Sequence, residues 1–175
     1  MRIAIIGYSG SGKSTLAARL GEAFGVPVLH LDSVHWLPGW VERPREEELR
    51  LVRAFLDGSG AWVVDGNYAS LFYEERMEKA DRIIFLSFNR FTCLHRAIKR
   101  AKLYKGRTRP DMGEGCPEKM DLEFAKWILH DSRTGRAKSR YRQLQAAYPQ
   151  KFIEIKNQKA LSAFTARATE AKDSL

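Results

Sequence analysis

Eight consecutive residues near the start of the chain carry its sharpest chemical signal. Gly7-Tyr8-Ser9-Gly10-Ser11-Gly12-Lys13-Ser14 satisfies Gly-x-x-x-x-Gly-Lys-Ser/Thr at every fixed position. Glycines at 7, 10 and 12 let the backbone curl until its N–H groups, those of Ser9 and Ser11 included, face inward and cradle phosphate oxygens. A helix beginning near Lys13 adds the positive end of its dipole. Lys13 should reach the β- and γ-phosphates, and the Ser14 hydroxyl should hold Mg²⁺. Thr15 completes the phosphate-binding turn, although its side chain has no task there. The chemistry these residues suit is binding of ATP with magnesium.

Two acids are the next candidates. Asp65 follows Trp62-Val63-Val64 and so ends an apolar strand, where a carboxylate orients magnesium or its waters in a P-loop protein. Gly66 follows it, so there is no Asp-Glu pair to activate water, which leans away from a motor-type ATPase. No Asn-Lys-x-Asp appears to support a GTPase. Asp32 is expected at the end of the second strand, across the cleft from the P-loop. A carboxylate there can accept the proton of an attacking hydroxyl or hold the acceptor; the alternative is a helix cap or Asx turn.

Phosphoryl transfer needs charge neutralisation, and arginine's planar fork matches phosphate oxygens. Arg96 and Arg100 are four apart on one helical face. Arg107 and Arg109 fall in a Gly/Pro-rich loop, and Arg133, Arg136 and Arg140 have helical spacing beyond it. Two basic arms around a flexible loop suggest a lid closing over ATP. Arg96, Arg133 and Arg136 are assigned to catalysis and Arg100 to nucleotide binding. Single lysines in this stretch are read as a solvated face.

The elements that must position these groups alternate along the chain. Apolar runs at 2–6, 26–31, 61–65, 82–88 and 151–155 read as strands. Helical spacing covers 14–24, 44–57, 70–79, 91–104, 118–148 with a break near Thr134-Gly135, and 160–172. A Pro/Gly/Trp-rich loop is expected at 35–40 and a mobile loop at 105–117. Five strands separated by helices predict an α/β fold, a parallel sheet covered on both faces. Ligands then bind beyond the carboxyl ends of the strands, which gathers Gly7, Asp32, Asp65 and Asn89 around one cleft.

The length of 175 residues suits one compact domain. No run approaches the roughly 18 apolar residues of a membrane span, and Arg2 with four apolar residues before Gly7 makes no signal peptide. A cytoplasmic location is expected, with Cys93 and Cys116 reduced and unpaired. The net charge of +9 and isoelectric point near 9.7 invite a polyanion, which is nucleic acid, nucleoside triphosphate or a phosphorylated substrate.

Together, the P-loop, the Asp65-Gly66 pair and the arginine-flanked loop at 106–117 resemble the adenylate-kinase-like P-loop kinases. Leu31-Asp32…Trp36…Pro38-Gly39-Trp40 and Val64-Asp65-Gly66-Asn67-Tyr68 are more closely similar to the DNA topology modulation proteins, over nearly the whole chain. The resemblance implies a nucleoside monophosphate kinase-like P-loop NTPase domain with an acceptor-binding insertion at roughly 33–60 and a lid at roughly 105–140. Nucleoside monophosphate kinases usually follow the strand-three Asp-Gly with Phe-Pro-Arg, whose arginine grips the acceptor phosphate. This chain has Asn67-Tyr68 instead, leaving Arg43, Arg50 or Arg53 to substitute. Asp32, Trp36, Trp40, Asn67 and Tyr68 are the candidate acceptor-binding residues, the two tryptophans forming an aromatic platform or a loop plug.

The expected activity is an ATP- and Mg²⁺-dependent phosphotransferase acting on a small molecule, a nucleoside or nucleotide among the candidates. A nucleic-acid-associated ATPase or nucleotide-dependent switch affecting DNA topology is the alternative. DNA is not the favoured partner, because zinc-finger spacing and a helix-turn-helix are both absent and a polyphosphate lid accounts for the charge. The chain is expected to act as a monomer or homodimer, without a membrane.

Overall fold

The computed structural model describes residues 1–170. Its centre is β1 (Arg2–Gly7), whose Ile3, Ala4, Ile5 and Ile6 are all at most 3% exposed. Successive strand residues point to opposite faces, so burial of all four means that both faces are covered. Around β1 the sheet adds β2 (Val28–His30), β5 (Trp62–Asp65), β6 (Arg82–Leu86) and β7 (Phe152–Ile155) in the order β2-β5-β1-β6-β7. Every pairing is parallel. This is the five-stranded α/β sheet expected, and its carboxyl edge carries Gly7, Asp65 and the turn after His30.

The helices are α1 (Lys13–Phe24), α2 (Leu31–His35), α3 (Arg45–Gly58), α4 (Tyr73–Lys79), α5 (Arg90–Leu103), α6 (Leu122–Leu129), α7 (Gly135–Ala147) and α8 (Gln158–Glu170). A 3₁₀ turn at Asp131–Arg133 and Thr134, whose hydroxyl caps α7, make the break expected near Thr134-Gly135. The closing helix starts at Gln158, and its expected last residues, 171 and 172, lie outside the described residues. Among the described residues no helix is long and apolar enough to cross a membrane. Cys93 and Cys116 are free and buried.

Three local expectations need correction. The second strand stops at His30 and the chain turns directly into α2, so Asp32 sits in that helix's first turn rather than at a strand end. The expected loop at 35–40 contains a small antiparallel hairpin, β3 (Trp36–Leu37) with β4 (Val41–Glu42). Its tip places Gly39 and Trp40 in the left-handed region, with φ of 77° and 63°.

The segment 105–117 was expected to be mobile and is instead docked on that hairpin. Gly39 N–H donates to Gly115 O at 2.8 Å, the Trp40 indole to Pro117 O at 3.2 Å and the Cys116 thiol to Leu37 O at 3.2 Å. Gly113 permits the approach, because a Cβ there would lie 2.6 Å from Trp36 O. Its Gly/Pro content serves close packing of two backbones as well as turning.

Candidate active site

The P-loop joins β1 to α1. It passes so close to neighbouring backbone that a Cβ on Gly7 would lie 2.5 Å from Leu86 O, and one on Gly10 2.4 Å from Cys93 O. Only glycine fits there. Ser11 N–H closes a turn on Tyr8 O at 3.1 Å. The amides of Ser9, Gly10, Gly12, Lys13, Ser14 and Thr15 have no backbone partner among the described residues. The buried Ser11 hydroxyl is also unpartnered. A nest of free N–H groups at a helix N-terminus is the donor set an anionic phosphate chain requires, so the residues present fit a nucleoside triphosphate. The Thr15 side chain is exposed.

Lys13 lies within range of the charges of two carboxylates. Burial lowers its pKa below the usual lysine value, while the charges of Asp32 and Asp65 pull it back up and Arg100 adds to the lowering. Its Nζ donates to Tyr8 O at 3.3 Å. Asp65, 5% exposed, accepts a 2.6 Å hydrogen bond at Oδ1 from His30 Nδ1. Burial disfavours a charged His30 ring. The Asp65 hydrogen bond and charge overcome that, with Asp111 and Asp32 adding, and raise its pKa above 6.5. A hydroxyl at Ser14 and a carboxylate at Asp65 suit magnesium, which takes few protein ligands and completes its shell with phosphate and water.

The loop after β5 holds two of the candidate residues in unlike ways. Asn67 gives its whole amide to the P-loop: Oδ1 accepts from Gly7 N–H at 3.0 Å and Nδ2 donates to Gly7 O at 2.6 Å. It is therefore a brace rather than a free acceptor contact. Tyr68 donates its hydroxyl to Asp32 Oδ1 at 2.8 Å. Burial, then the Asp32 charge, push the phenol pKa far above its usual value, so Tyr68 stays a donor. Buried Arg76 fixes this loop, donating to the carbonyls of Leu71, Gly66 and Tyr68; burial lowers its pKa to about 10.

Trp36 and Trp40 meet edge to face at 5.6 Å, and Trp36 packs on His35 in the same manner. They form a wall beside Asp32, with no parallel slot between them.

The arginines divide. Arg96 reaches the P-loop, donating to Ser11 O at 2.8 Å and to Gln158 Oε1 at 2.6 Å over the Phe88 ring. Arg100 lies near enough to depress Lys13 and is paired with the buried Glu118 at 2.8 Å. Arg133 is taken up elsewhere: it donates to Ile128 O and Phe88 O and lies 3.6 Å from the centre of the Tyr8 ring. Arg136 is exposed on the first turn of α7 and has no partner among the described residues. These contacts bring Arg96 and Arg100 to the loop, while Arg133 serves packing and Arg136 faces solvent.

Four neighbours had no signal in sequence spacing: His30, Arg76, Glu118 and Trp127, whose indole donates to Ser9 Oγ at 3.3 Å. Tyr8 is 6% exposed within an aromatic cluster with Phe85 and Tyr141, so its ring is unavailable for stacking on a base.

No protein-family model matches the chain, and no curated protein matches it. Solved structures do. Shikimate kinase from Acinetobacter baumannii in complex with shikimate superposes with a TM-score of 0.59 at 18% identity, over 99% of this chain and 89% of that one. TT1252 from Thermus thermophilus gives 0.57 at 17% identity over 98% and 95%. Shikimate kinase from Bacteroides thetaiotaomicron gives 0.52 at 19% identity over 99% and 98%. At such identities the likeness is one of fold. The chain has the parallel α/β fold found in these shikimate kinases.

Proposed function

We propose that this protein is an ATP- and magnesium-dependent phosphotransferase acting on the hydroxyl of a small molecule, in the manner of adenylate-kinase-like kinases. The observation that carries this reading is the loop of unpartnered amides at the α1 N-terminus, with Lys13 in its first turn and within range of the charges of Asp32 and Asp65. The loop and the α1 dipole would hold the phosphates, with Lys13 and the nearby Arg96 and Arg100 neutralising their charge. Ser14 would ligate magnesium and Asp65 order its waters; the ion, when bound, neutralises charge on the β- and γ-oxygens. Asp32, steadied by Tyr68, would orient the acceptor hydroxyl and take its proton. The contact between the hairpin and segment 105–117 supports reading 33–60 as the acceptor region and 105–140 as a lid.

The test is ATP consumption by purified protein with Mg²⁺ across nucleosides, nucleoside monophosphates and hydroxylated metabolites. A compound that raises turnover well above background supports the reading. Flat hydrolysis despite ATP binding overturns it. The +9 charge favours a second reading, association with nucleic acid as in the DNA topology modulation proteins that the sequence resembles. Retention on DNA that survives physiological salt would support it, whereas loss at low salt would reduce it to charge alone.

A further inference from the structure

The acceptor side of the cleft carries a charge pattern that restricts what it can take. The Tyr68 hydroxyl donates to Asp32 Oδ1 at 2.8 Å. Asp32 Oδ2 has no hydrogen-bond partner among the described residues. Beside this pair, His35 Nδ1 lies 2.5 Å from Oε1 of the buried Glu48, and the His35 ring packs on Tyr68 with centroids 4.8 Å apart. The wall thus offers carboxylate oxygen and aromatic edges.

The arginines around the hairpin and α3 that could answer an anionic acceptor are paired or turned away. Arg43 donates to Val34 O at 2.6 Å and to Glu47 at 2.7 Å. Arg45 donates to the Ser70 carbonyl and faces Glu48. Arg53 grips both oxygens of Glu75 at 2.7 Å each. Arg50 is exposed and lies on the far side of α3 from buried Glu48 and Val52. Arg76 is spent on three carbonyls, and the position after Asp65-Gly66 is occupied by Asn67, spent on Gly7.

We propose that the acceptor is a hydroxyl compound carrying no phosphate or carboxylate, held against Asp32 and the Trp36–Tyr68 wall. This inference rests on the phosphotransferase reading and narrows it. The acceptor oxygen forms a bond to the γ-phosphorus as the bond from that phosphorus to the β–γ bridging oxygen breaks. ADP departs with the electron pair, and the hydroxyl proton passes to Asp32 Oδ2. An anionic acceptor would face a carboxylate whose neighbouring arginines on the hairpin and α3 side are already paired, which should lower kcat/KM by about 100-fold or more.

The experiment uses γ-labelled ATP, Mg²⁺ and the intact protein, with ATP binding measured separately. The acceptors are matched pairs: adenosine, guanosine, cytidine and uridine against their 5′-monophosphates, and glucose against glucose 6-phosphate. A metabolite extract split on an anion exchanger into unretained and retained fractions extends the panel. Label entering only the uncharged members, or only the unretained fraction, is the expected result. Label entering the phosphorylated members or the retained fraction, at equal or greater kcat/KM, overturns the proposal and leaves the phosphotransferase reading intact. ATP binding with no label transferred anywhere overturns that reading, and this proposal with it.

Discussion

His30 and Asp65 are register partners on the neighbouring parallel strands β2 and β5, and His30 Nδ1 lies 2.6 Å from Asp65 Oδ1. The last ladder position of one strand therefore orients the carboxylate that ends the other. Asp65 has one oxygen already committed to His30, so its orientation is set before any nucleotide arrives.

The pair should make stability depend on pH. The folded His30 pKa is raised above its ordinary 6.5, so its contribution is fully present below that value and is lost as pH rises through the folded pKa. His30→Ala should cost about 1–2 kcal/mol at pH 6 and less at pH 9. Thermal melting of both proteins across that range checks it; an unchanging difference would mean that packing alone is at work.

Lys13→Ala should reduce ATP turnover by on the order of 10³-fold while the far-ultraviolet circular dichroism stays unchanged. Lys13 is half-buried and, among the described residues, its side chain donates only to Tyr8 O, so little of the fold depends on it. Activity near that of the parent protein would remove the P-loop from the mechanism.

Asp32→Asn should lower kcat by about 10²-fold or more with ATP affinity preserved, because the acceptor's base is lost and the phosphate cradle is untouched. Tyr68→Phe removes the hydroxyl that donates to Asp32 Oδ1 and should have a smaller effect in the same direction. Steady-state kinetics with nucleotide-binding titrations separate the two quantities. A fall in melting temperature with kcat unchanged would make Asp32 structural.

Asn67→Ala should weaken both the fold and nucleotide binding. It strips the Gly7 N–H and C=O of their partners, at about 1–3 kcal/mol. Urea unfolding and ATP titration should shift together. An unchanged ATP affinity would show that the loop holds its shape without the brace.

Much of this protein was legible in sequence because the relevant physics is local. The P-loop glycines, the strand that enters it and the helix that leaves it are contiguous, and their burial and spacing follow from residues a few positions apart. The five strands were readable for the same reason. Their order was not, because β5 lies between β2 and β1 through pairings that join residues 35 and 60 positions apart. The tertiary structure alone decided which polar groups are free. Asn67 turned out to be bound to Gly7, Arg133 to the backbone beside Tyr8, and Arg53 to Glu75. A side chain's chemistry is set by its type, but its availability depends on whether a distant partner has already claimed its hydrogen bonds. The same distinction accounts for the segment at 105–117. Its glycines and prolines forecast an irregular path, and only the facing backbone of Trp36 to Trp40 determined that the path would be packed.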